Sequence, residues 1–165
     1  MFELKQLSKD AIPAALAKAE RYRLLNEPWQ AESICQDVLR IEPDNHGALV
    51  TLLLALTDQF QDNVTLAETR KVVASMADEY ERAYYSGIIC ERRAKALLHQ
   101  GIHGSASAIY DWIREAMTWS EQAEAIRPPA NDDALLRWNT CARLLMRHPH
   151  LQPAPEQHTE PIMSE

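Results

Sequence analysis

The densest group of residues able to do chemistry lies around positions 84–95, where Tyr84, Ile88, Glu91 and Lys95 recur along one helical face. An acid and a cation one turn beyond two apolar anchors can grip the backbone and side chains of a peptide. The same spacing also suits an ordinary Glu91–Lys95 surface pair, worth about 0.2–0.5 kcal/mol, with the tyrosines as packing. Other constellations are weaker. His99 and His103 stand four apart, but Gly101 and Gly104 interrupt any helix through them and no third ligand lies nearby, so no metal site is expected. There is no Walker loop, dinucleotide-binding glycine fingerprint, nucleophile elbow, paired CxxC or Glu-x-x-His motif, so neither catalytic residues nor a cofactor are expected. Cys35, Cys90 and Cys141 are widely spaced among apolar helical residues, which fits packed, reduced thiols.

The elements that must position these residues are helices. Only four glycines occur, no stretch alternates polar and apolar residues, and no Asn-Gly or Asp-Gly turn is present, so the expected fold is all-α. Proline and cap residues divide the chain into about seven helices, over 10–25, 28–41, 46–59, 64–77, 78–100, 105–126 and 132–147. Pro28 suits a first helical position, Asp44 can cap the third helix, Ser105 the sixth, and Asn131 or Asp132 the seventh. Leu49, Leu52, Leu53 and Leu56 make the third helix apolar nearly all round, which predicts burial. A net charge of −7 argues against a nucleic-acid partner, since counterion release on a polyanion needs clustered Lys and Arg. No window approaches the roughly 20 apolar residues that span a bilayer, and the N-terminus lacks the apolar run of a signal peptide, so no membrane partner and a cytoplasmic address are expected.

Helix pairs invite a search for a repeat, and the 34-residue tetratricopeptide pattern can be laid on the chain. Tyr22, Ala31 and Pro43 match it in type and spacing, with Ala19 near its glycine and Cys35 in its aromatic slot. A second copy begins with Leu49, Leu52, Leu53 and Leu56 but carries Thr65 and Thr69 in its second helix, and a third starts at Ala83, Ser86, Gly87 and Cys90. It resumes at Ala116, Ser120, Ala123 and Pro128 after an insertion. Over residues 10–147 the chain resembles the tetratricopeptide-repeat (TPR) family, with one fair copy, one degraded, one expanded and a closing helix.

That resemblance implies a right-handed α-solenoid whose first helices line a concave peptide-binding groove. On this mapping Leu16, Glu20, Arg23, Val50, Leu54, Asp58, Tyr84, Ile88, Glu91 and Arg92 face the groove. Family members that hold the C-terminal carboxylate of chaperones use Lys, Asn and Arg there, whereas the equivalent positions here are mostly Leu, Val, Glu and Tyr. The expected role is a non-catalytic scaffold or adaptor that binds a protein or peptide segment. The alternative is a self-associating structural protein, with Trp29, Trp119, Leu136 and Leu144 forming a homo-oligomer interface. Residues 148–165 are proline-rich and read as a flexible tail; in a second reading Leu151, Pro153, Pro155 and Ile162 dock in a groove.

Overall fold

The computed structural model describes residues 1–62 and 64–155. After a 3₁₀ turn at Lys9–Ala11 come α1 (Ile12–Leu24), α2 (Pro28–Leu39), α3 (His46–Asp58), α4 (Leu66–Ala74), α5 (Glu79–Gln100), α6 (Ala106–Ala125) and α7 (Asp133–Arg147). Seven α-helices and no strand are present among the described residues.

Local chemistry explains the helix limits. Prolines occupy the first turns of α1 and α2, where a missing N–H costs nothing. Asn45, not Asp44, caps α3: its Oδ1 accepts from the Ala48 N–H at 2.9 Å. α4 is shorter than the periodicity predicts, because a reciprocal capping box between Thr65 and Glu68 sets its start and it ends before Ser75, whose hydroxyl donates to the Lys71 carbonyl. The Asp78 carboxylate caps α5, and Gly101 ends it in the left-handed region at φ 62°. Ser105 precedes α6 but makes no cap; its hydroxyl donates to the Ile102 carbonyl. At α7 the N-cap residue Asp132 makes no side-chain cap bond, and Asn131 just before it accepts from the Asp133 N–H at 3.0 Å.

Packing follows chain order, each helix lying against the next, with α1 also touching α3 and α3 also touching α5. α3 is buried on most sides, as its leucines require. Leu52, Leu53 and Leu56 form one cluster with Ala19, Ala31, Cys35, Val72, Val73 and, from α5, Ile89 and Ala96. Burying a leucine fully is worth roughly 1.5–3 kcal/mol, so this cluster is the main anchor of α1–α5. A second cluster joins Cys90 and Ala94 of α5 to Ile109, Ile113, Met117 and Cys141. α5 is therefore the shared wall of two cores. Its contact with α6 is close at Gly87, where a Cβ would come within 3.3 Å of the Ala116 carbonyl oxygen.

The packed unit runs past position 147. Leu151 is only 4% exposed and belongs to the second cluster, held by a turn in which its N–H donates to the His148 carbonyl at 2.9 Å. Leu151 thus ties the start of the segment after α7 to the core, although Pro149 and His150 remain exposed. Pro153 and Pro155 are exposed, and Ile162, with the rest of 156–165, lies outside the described residues.

Candidate functional site

Side chains of α1, α3, α5 and α7 contribute to one charged row. Arg23 of α1 reaches Asp58 of α3, its Nε donating to Oδ2 at 2.8 Å. Arg92 of α5 pairs with the other oxygen of Asp58 and donates to the Thr57 hydroxyl at 3.0 Å. One residue earlier on α5, Glu91 is 2% exposed and bonds Lys95 on the next turn. Arg137 of α7 approaches the same Glu91 oxygen at 3.5 Å. A recess of about 410 Å³ opens beside this row, bounded by Thr57, Asp58, Phe60, Gln61, Glu91, Arg92, Lys95, Ala96, His99 and Arg137.

The electrostatics follow from burial. Burial pulls the Arg137 guanidinium down, but the Tyr84 hydroxyl and the Glu91 carboxylate beside it more than offset this and leave it raised. Tyr84 stacks on Tyr80, with ring centroids 5.8 Å apart, and meets Tyr85 edge-on. Burial, helped by Glu81, pushes the Tyr85 phenol up to about 12.

Four of the ten residues assigned to the groove, Arg23, Asp58, Glu91 and Arg92, meet in this row. The others do not join it as an open surface. Ile88 is buried, so it cannot meet a ligand. Leu16 packs with Ile12, Val38 and Ala48 in a small N-terminal cluster, and Val50 packs against the first core. Tyr84 is half-buried in the aromatic stack, Leu54 is half-buried on α3, and Glu20 is exposed on α1 without an ion pair among the described residues. Sequence reasoning missed Arg137 as a member of the site. Its signal was present: Arg137, Arg143 and Arg147 all lie off the apolar stripe of α7.

A larger cleft of about 750 Å³ lies elsewhere, where α4 and α6 both rest on α5. Val73, Ala83, Ile89, Cys90, Trp119 and Ile126 line it, with Arg70, Glu79, Arg82 and Glu115 at its edges. Trp119 is half-buried here, lining the cleft and packing on the second core; Leu144 is half-buried against the same core, while Trp29 and Leu136 are exposed. Cys35, Cys90 and Cys141 are all buried and free, and burial pushes each thiol up to about 12. No group of three or more His, Cys, Asp or Glu residues that could hold a metal ion occurs among the described residues. None of the helices is long and apolar enough to cross a membrane among the described residues. No family model, no curated protein and no solved structure matches this chain.

Proposed function

We propose that the protein is a non-catalytic binding module, a TPR-like solenoid that receives a segment of a partner protein on the face shared by α1, α3, α5 and α7. The observation that carries this reading is the row from Arg23 through Asp58, Arg92 and Glu91 to Arg137, which draws on four helices and borders a recess. The contacts of α1 with α3 and α3 with α5 support a stack in which first helices adjoin first helices. Half-exposed donors on rigid helices can meet a partner without reorganising, which lowers the entropic cost of binding. Three free, buried thiols fit a reducing compartment such as the cytoplasm.

A photo-reactive residue in place of His99, which borders the recess and is exposed, tests the reading; the control position is Lys18, exposed on α1. A protein segment cross-linked from native lysate at His99 and not at Lys18 is the expected result. Cross-linking that is equal at both positions, or absent at His99, refutes it.

One observation favours the self-association reading: Leu24, Leu25 and Trp29, at the turn joining α1 and α2, are 89%, 61% and 63% exposed. On that reading Trp29→Ser lowers the mass measured by light scattering.

A further inference from the structure

We propose that the segment received on this face is an acidic peptide, rich in Asp and Glu, and that it continues along α7 to Arg147. This rests on the binding-module reading above and adds the chemistry of the partner. The chain as a whole is acidic, with 24 Asp and Glu against 17 Lys and Arg. The recess departs from that balance. Asp58 is shared by two cations, Arg23 and Arg92, and Glu91 by two others, Lys95 and Arg137. Each carboxylate therefore neutralises one of the two cations it holds, and each trio keeps a positive charge.

The surplus continues along α7. A second recess of about 290 Å³ shares Lys95 with the first and is lined also by Thr140, Arg143, Leu144, Arg147 and His148, with no carboxylate. Arg143 and Arg147 make no ion pair among the described residues. Free cations at one end and cations fixed by a buried carboxylate at the other form a continuous donor surface. Arg guanidiniums take carboxylates in bidentate geometry, and the fixed ones lose little side-chain freedom on doing so. Leu144 gives the second recess an apolar wall, against which an apolar residue between the acids of such a peptide can pack.

The test is fluorescence anisotropy with a labelled peptide alternating Glu and Leu, and with its Gln-for-Glu counterpart, on the full chain. Saturable binding of the Glu peptide that weakens steeply with salt, with none of the Gln peptide, is expected. Arg143→Ala with Arg147→Ala, both exposed positions, should weaken it about tenfold with circular dichroism and melting temperature unchanged. Equal binding of both peptides, or binding untouched by the double variant, overturns the proposal. So does an oligonucleotide that binds as tightly as the peptide, which would make the surface a general polyanion site. A peptide of residues 156–165 that displaces the probe from a chain ending at 155 more strongly than the probe itself binds would assign the surface to the chain's own acids. A mass that doubles, and reverts in the double variant, would assign it to a second copy. A neutral segment cross-linked at His99 would overturn the acidic chemistry and leave the binding-module reading standing, whereas no segment at His99 would remove that reading itself.

Discussion

Removing both cations from Glu91 is the perturbation whose cost the structure defines most sharply. Glu91 is 2% exposed, while the Lys95 and Arg137 side chains are 46% and 37% exposed. Water screens the cations, so losing either one alone forfeits only about 1 kcal/mol, because the carboxylate keeps its other partner. Losing both strands a buried carboxylate without compensation, which costs about 3–5 kcal/mol. Lys95→Ala combined with Arg137→Ala should therefore exceed the sum of the single variants by about 1–3 kcal/mol. Adding Glu91→Gln to the double variant removes the stranded charge and should restore about 2 kcal/mol of that loss. Urea unfolding at neutral pH, followed by circular dichroism at constant m-value, measures the stabilities of the parent and the four variants. Additivity within about 0.5 kcal/mol, together with no rescue by Glu91→Gln, would refute the account of Glu91 as a buried charge that depends on two shared cations.

The three thiols, each raised from 9.0 to about 12, should resist Ellman's reagent at pH 8 in the folded protein and react at once in urea. Because burial disfavours the thiolate only in the folded state, the stability they contribute is complete below pH 9 and is lost as pH rises toward 12, by about 1.4 kcal/mol per pH unit for each thiol, seen as a falling urea midpoint. Gly87→Ala should destabilise by about 1 kcal/mol: the helix-propensity gain of up to ~1 kcal/mol is outweighed by the clash with the Ala116 carbonyl, and thermal melting will show a lower midpoint. Leu151→Ala should cost about 2–4 kcal/mol, a loss an untethered tail residue could not produce in the same melting experiment.

Most of the helices were legible because local chemistry sets them. Pro28, Asp78 and Gly101 act within one turn of where they stand, and the leucines of α3 can be satisfied only by burial; the Thr65–Glu68 box was not read, and α4 came out shorter than expected. The site was legible in part. Arg23, Asp58 and Arg92 were all expected on one face, and the two arginines do meet at the Asp58 carboxylate. Ile88 and Leu16 fell on the same face by spacing, but neighbouring helices cover them, and periodicity within one helix carries no record of what its neighbours cover. Arg137 escaped for a related reason: its place off the apolar stripe of α7 marks it as outward-facing, but does not say that a buried carboxylate stands opposite. Leu151 was named for docking only in the second reading, because the prolines around it read as tail; its side chain packs into the second core.

The two-sided use of α5 restricts how this helix can change. Ile89 serves one core and Cys90, its neighbour in sequence, serves the other. Inserting or deleting one residue in an α-helix turns everything beyond it by about 100°. Within α5 such a change would rotate Ala94 and Ala96 out of their respective cores and carry Glu91 and Lys95 off the recess at once. The helix can therefore accept substitutions but not changes of length, and variation in length must be confined to positions past its glycine cap, in the short Gly101–Gly104 turn where both glycines meet open space.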